Sequence, residues 1–344
     1  MRIAYCVVGE GPALVMLSGG HSHLELDPGS PVFGHWIDEL SRRHTLVRLD
    51  TRGYGLSDRH VEDQSIDAVV ADLLAVADAL ELERFALLAW MGGTPFAVSF
   101  AARFPERVSQ LVLHGAYLRG WLKRGLGERE RGAVDALVRQ VESGWDMEDP
   151  LVRRAITSSF IPDGSASQQA WLDDALRQSA FGADAARRLV TRLNSDVTAL
   201  APRVACPTIV LNADRDTNPP SSEGRLAASL VPGAHFVLLA SRNHVLLAHE
   251  AAWRRWLEEV DVFLRRAPAH GSVFAALTPR ERDLAALIAE GLDNAQIAAR
   301  LGIAEKTVRN HITRVFAKLG VESRAQAIVL AHKSGLGRRS HETC

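Results

Sequence analysis

Apolar runs of strand length recur along residues 1–117: ALVML (13–17), HTLVRLD (44–50), RFALLA (84–89) and VSQLVLHG (108–115). Between the second and third, SIDAVVADLLAVADALEL repeats its apolar residues at helical spacing. Strands that alternate with helices predict a mainly parallel sheet covered by helices on both faces. The rhythm stops over 118–200. There Val134, Leu137, Val138 and Val141 fall at i, i+3, i+4, i+7, as do Ala186, Leu189, Val190 and Leu193, which predicts an insertion of amphipathic helices. Strand runs return at PTIVLNAD (207–214) and AHFVLLA (234–240), and AAWRRWLEEVDVFLRR then closes the region as a helix.

A chain of 344 residues exceeds one ordinary domain and suits two of unequal size. The stretch APAHGSVFA (267–275) reads as the linker, dividing a large domain at 1–266 from a small one at 276–344. Charge follows the same division. Residues 271–344 hold eleven Lys and Arg against seven Asp and Glu, a net +4, whereas the rest carries −5. A small basic module behind an acidic one hints at an anionic partner, although a solvated face gives the same excess. No apolar run reaches the roughly 18–20 residues that span a bilayer. The opening residues lack the pattern of a secretory leader, and the three cysteines (Cys6, Cys206, Cys344) have no metal spacing. These features predict a cytoplasmic protein with reduced thiols and no membrane partner.

The order of motifs over 1–266 resembles the α/β-hydrolase fold, a doubly wound sheet with a helical cap at about 118–200. LSGGHSH (17–23) stands where that family keeps its oxyanion loop, RLDTRGYGLSD (48–58) matches the segment after the next strand, and NADRDTNPP (212–220) and SRNHVLL (241–247) follow in order. Between them lies LLAWMGGTP. The family's turn reads G-x-S-x-G, with the serine exposed on a strained strand-to-helix corner. Here Ala89 takes the first glycine position, Met91 the serine and Gly93 the last glycine. The resemblance places the other two members of the triad at Asp216 and His244. Each also has a bland reading: Asp216 as the organiser of an Asp/Asn/Pro turn, His244 as a hydrogen-bonded histidine at a strand–helix junction.

Losing a serine nucleophile lowers turnover roughly a millionfold, about 8 kcal/mol of barrier. A base–acid pair without a nucleophile makes no acyl-enzyme. Ser18 and Thr94 are the nearby hydroxyls, and neither occupies the corner. The expectation is a catalytically silent pocket that holds a small molecule. Backbone N–H groups of Gly92 and of the Gly19–Gly20–His21 loop would point into the cleft, and Met91 would add an adaptable apolar wall. The expected ligand-binding positions are Gly19, Gly20, His21, Trp90, Met91, Gly92, Asp216 and His244. None calls for a metal or cofactor.

The small domain parses from its caps. Thr278-Pro279-Arg280-Glu281 reads as a capping box, Gly291 ends that helix, and Asn294 is expected to cap a short helix through Leu301. Gly302 makes the turn, a longer helix runs from about Glu305 to Leu319, and Ser323-x-x-Gln326 reads as a second capping box that opens the last. On the third helix Val308, Ile312, Val315 and Leu319 form the core face. The opposite face shows Lys306, Arg309, Asn310, Thr313, Arg314 and Lys318, which suits either major-groove insertion or a plain solvated surface.

The segment is similar to the LuxR-type helix-turn-helix across its length, through LTPRE, NAQIA and KTVRNHITRVFAKLGV. One departure is Ala304, where that family usually has a serine N-cap. The resemblance implies binding of double-stranded DNA, with Arg309, Asn310 and Thr313 reading bases and Lys306, Thr307, Arg314 and Lys318 holding phosphates. It also implies a homodimer, for which Ala325, Ile328 and Val329 on the last helix offer an apolar strip; packing within its own domain is an equally ordinary use. The expected whole is a transcriptional regulator with a small-molecule effector, and the alternative is an active enzyme joined to a DNA-binding domain.

Overall fold

The computed structural model describes residues 1–265, 277 and 279–333. Its internal contacts divide the chain into Met1–Arg265 and Arg266–Cys344. The linker expected at 267–275 and the Thr278 end of the first capping box lie outside the described residues.

The large unit begins with β1 (Tyr5–Val8), β2 (Ala13–Ser18), α1 (Gly34–Ser41), β3 (Thr45–Leu49), α2 (Ile66–Ala79), β4 (Phe85–Trp90), α3 (Thr94–Arg103) and β5 (Val108–His114). Four helices follow: α4 (Glu128–Gly144), α5 (Leu151–Phe160), α6 (Ala166–Ser179) and α7 (Gly182–Asn194). Then come β6 (Thr208–Ala213), α8 (Ser221–Leu230), β7 (His235–Leu239) and α9 (Ala251–Arg265). The strands form one sheet in the order β1-β3-β2-β4-β5-β6-β7, parallel except where β1 pairs antiparallel with β3. Six of these strands are the apolar runs read from the sequence. β1, whose residues YCVV are apolar as well, is not among them; it is a short edge strand, mostly exposed, so its apolar residues mark no core face.

Side chains alternate across each strand and so build two cores. Leu14 and Met16 of β2 join α1, α9 and the α4–α7 insertion on one face; Val15 and Leu17 join α2, α3 and α8 on the other. Central strands are covered on both sides, which is why β4 and β6 are buried at every position and β4 reads as an unbroken apolar stretch. In the insertion, Val134, Val141, Ala186 and Leu193 are buried as expected. Val190 is not: it is 42% exposed, because the inward face of α7 also carries Ala185 and Arg188.

The small unit is α10 (Pro279–Ala289), α11 (Asn294–Leu301), α12 (Glu305–Leu319) and α13 (Arg324–Lys333) around its own apolar cluster. Val308, Ile312, Val315 and Leu319 are buried there, as the spacing predicts. Gly302, at φ +66°, ends α11 in the left-handed conformation and makes the tight turn into α12. The N-cap of α11 is Asp293, whose carboxylate accepts from Gln296 N, rather than Asn294. The Ser323 hydroxyl accepts from Gln326 N (3.2 Å), but the Gln326 side chain accepts from Glu322 N (2.8 Å), so the second box is shifted by one residue. Ala304 caps α12 with no side-chain bond.

Candidate functional site

Every motif expected at the pocket follows the carboxyl end of a parallel strand, where loops from neighbouring strands converge. Between β4 and α3 the chain turns sharply at Met91, whose φ of +50° lies in the left-handed region that a side-chain-bearing residue rarely adopts. The loop after β2 packs directly on this corner. A Cβ on Gly19 would lie 2.2 Å from the Gly92 carbonyl carbon, so only glycine lets the two backbones approach.

His244, after β7, and Asp216, after β6, meet at 2.7 Å between Nδ1 and Oδ2, with both side chains 1% exposed. The other Asp216 oxygen accepts from Asn218 N at 2.7 Å, so the carboxylate also organises its own turn. Orientation of the imidazole is fixed from two sides. A Cβ on Gly115 would fall 2.3 Å from His244 Cε1, and His244 N donates to the Phe160 carbonyl of α5. With Nδ1–H directed at Asp216, the lone pair of the ring is left on Nε2, which is buried without a hydrogen-bond partner among the described residues.

Beneath this pair His114 Nε2 donates to the His244 carbonyl at 2.8 Å. Burial, and then the adjacent His244, push His114 down to about 4. The folded protein therefore keeps His114 neutral where an unfolded chain would protonate it. Its contribution to stability is full above the ordinary histidine value of about 6.5 and is lost as pH falls to about 4, a loss of about 3 kcal/mol. Melting temperature followed from pH 7 to 4 should fall less steeply for His114→Gln than for the wild-type chain; equal slopes would contradict the assignment.

The expected oxyanion donors need correction. Gly19 N is directed at the Trp90 carbonyl (3.4 Å) and Gly20 N at Ser18 Oγ (3.3 Å), so both are engaged inside the loop. His21 N and Gly92 N remain without an acceptor among the described residues. His21 is held by Asp27, Nε2 to Oδ1 at 2.8 Å, and Arg48 approaches the other Asp27 oxygen at 2.9 Å. Burial alone would raise the Asp27 carboxyl, yet His21 and Arg48 hold it below the usual range. Of the two nearby hydroxyls, Ser18 Oγ donates to the His21 carbonyl at 2.6 Å, and Thr94 is wholly buried at the start of α3.

Two adjoining cavities lie between the sheet and α4–α7. The outer, about 220 Å³, is walled by Tyr117, Trp121, Arg124, Leu137 and Pro219 among others. The inner is smaller and is walled by Gly20, His21, Tyr54, Trp145 and Arg188. They share Ile156, Phe160, Leu189 and Arg192. Of the expected ligand-binding positions, Gly20 and His21 thus reach a cavity wall. Trp90 and Met91 do not: an apolar side chain at the corner packs inward, into the cluster with Phe33 and Trp36, instead of facing the cleft. Gly19, Gly92, Asp216 and His244 line neither cavity. Sequence reasoning missed Arg188 and Arg192. Their signal was present, as two arginines at i, i+4 interleaved with Leu189 and Leu193 on a helix that covers the sheet.

On α12, Lys306, Arg309, Asn310, Thr313 and Arg314 are exposed along one face and Thr307 is half-buried. Thr313 Oγ1 donates to the Arg309 carbonyl at 3.1 Å. Lys318 is partly engaged, its ammonium 2.6 Å from Glu281 on α10.

Residues 12–251 match the family described as alpha/beta hydrolase fold, and residues 275–331 match bacterial regulatory proteins of the luxR family. The chain belongs to the alpha/beta hydrolase fold family. It is a DNA-binding LuxR-type regulator fused to that domain. A pyrrolizixenacetamide deacetylase from Xenorhabdus hominickii is 25% identical over 257 residues, 72% of this chain and 89% of that protein. The DNA-binding transcriptional activator DevR/DosR of Mycobacterium tuberculosis is 50% identical over 68 residues, 20% of this chain and 31% of that protein. The fold matches that of an esterase from Exiguobacterium antarcticum with a TM-score of 0.66 at 19% identity, covering 76% of this chain and 95% of the esterase. Among the described residues no helix is long and apolar enough to cross a membrane.

Proposed function

We propose that the hydrolase-fold domain is a receptor: it binds a small molecule in the cavities under α4–α7 without turning it over, and the LuxR-type domain carries the response to DNA as a homodimer. What carries this reading is the thioether of Met91, fully buried at the one backbone position shaped to present a nucleophile. His244 retains its carboxylate and a free lone pair, but no hydroxyl stands at the corner for it to deprotonate. Two amide N–H groups and an apolar, capped cavity remain, which suffice to hold a ligand. Ala325 and Val329 are exposed on α13 and fit a helix-to-helix dimer contact.

A second reading rests on the same His244–Asp216 pair, kept in hydrogen-bonded register as a working base would be. Purified full chain assayed on activated aryl esters separates the two. The receptor predicts rates indistinguishable from buffer and unchanged by His244→Ala. Turnover that His244→Ala removes would establish an enzyme.

A further inference from the structure

We infer that the ligand of this cleft is a carboxylate carried on an apolar body, held by Arg188 and Arg192 of α7. The inference rests on the receptor reading and names the class of molecule received. Arg188 is 1% exposed on the wall of the inner cavity. One of its terminal nitrogens donates to the Arg52 carbonyl at 3.1 Å, and its Nε and Nη1 have no hydrogen-bond partner among the described residues. Its guanidinium carbon lies 5.1 Å from the centre of the Phe96 ring and 5.8 Å from that of Tyr54. Burial pulls its basicity down to about 10, so it stays charged at neutral pH inside an apolar wall.

One turn further along the same face, Arg192 borders both cavities, and among the described residues its buried Nε has no hydrogen-bond partner and its side chain no ion pair. It reaches the corner: a Cβ on Gly92 would lie 2.5 Å from that nitrogen. Carboxylates that could neutralise these charges are committed elsewhere. Asp184 accepts from His60 N and Val61 N, and Asp72 holds Arg52 through both oxygens.

A buried guanidinium without a counter-charge is among the most costly features a fold can keep, and apolar residues of like volume would pack α7 more stably. Two on one helix face, both in cavity walls, make sense when the counter-ion arrives with the ligand. A guanidinium offers paired parallel donors that match a planar carboxylate. The rest of the ligand meets Leu137, Ile156, Phe160 and Leu189, which demand an aliphatic or aromatic body.

The test uses the full chain, calorimetry and thermal melting, with octanoate and 3-phenylpropanoate as probes and octanamide and 3-phenylpropanamide as neutral counterparts. At least one acid should bind about tenfold or more tightly than its amide, because the amide leaves the buried charge unmatched. Arg188→Met should abolish that preference while raising the melting temperature of the unliganded protein, a combination a merely structural arginine would not give. Should Arg188→Met fail to fold, the half-buried Arg192→Gln carries the test through its loss of acid affinity alone. Equal binding of acids and amides, acid binding unaffected by these substitutions, or no acid binding below millimolar concentration would overturn the inference. Ester turnover, measured separately, decides the receptor reading: hydrolysis with intact acid preference sinks that reading alone, and silence on esters without acid preference sinks this inference alone.

Discussion

Replacing Met91 by serine is expected to raise hydrolysis of an activated ester by about a hundredfold over the wild-type chain, a gain of about 2.7 kcal/mol in barrier. The backbone for a nucleophile is already in place, with φ +50° at residue 91, Gly19 packed against Gly92, and His21 N and Gly92 N free to receive an oxyanion. The base is in place too, since His244 is oriented by Asp216 at 2.7 Å with Nε2 unpartnered. Residue 91 carries a thioether where that chemistry needs a hydroxyl. The gain should fall short of the roughly millionfold worth of a nucleophile in a mature site, because Ala89 still replaces a glycine and Arg192 crowds Gly92. Met91 is wholly buried, so its removal leaves a void that costs a few kcal/mol of stability, and melting must be followed alongside rate. Adding His244→Ala should return the rate to the wild-type level. A folded Met91→Ser variant with no gain would show that the His244–Asp216 pair does not serve the corner.

Arg309→Ala is expected to weaken binding to a duplex enriched from a random library by about ten- to a hundredfold, with much less effect on unrelated DNA. Arg309 projects from the exposed face of α12, opposite the buried stripe of Val308, Ile312 and Val315, where a helix after a tight turn presents itself to the major groove. Lys306→Ala should differ in kind, weakening specific and non-specific DNA alike and lowering the salt dependence by about one ion. Lys318→Ala should cost stability as well as affinity, since its ammonium sits 2.6 Å from the largely buried Glu281 and ties α10 to α12. Anisotropy titrations at several salt concentrations on both duplexes read all three. An Arg309→Ala loss of equal size on both would reassign that residue to phosphate.

The sequence was most informative where the same interaction repeats along the chain. Six strands, the inserted helices and the α12 core stripe follow from burial periodicity, which every turn or every second residue restates. β1 is the exception: its four residues, YCVV, are apolar yet mostly exposed, so burial does not distinguish so short an edge strand from a loop. Asp293 displaced Asn294 as the cap of α11 because adjacent Asp and Asn cap equally well and the choice depends on where the loop delivers the chain. The pocket itself was misjudged at Met91, which packs into the core, and at Arg188 and Arg192, which line the cavities.

The residues alone thus determined the two folds, the identity of the atom at the corner and the polar face of α12, since each depends on local spacing or on a single side chain. Only the tertiary structure decided the contact distance of His244 and Asp216 across 28 positions, a pair the resemblance implied, and that α7 lays two charged side chains over an apolar cleft. Those contacts join segments far apart in the chain, and no periodicity records which distant charge is left without a partner.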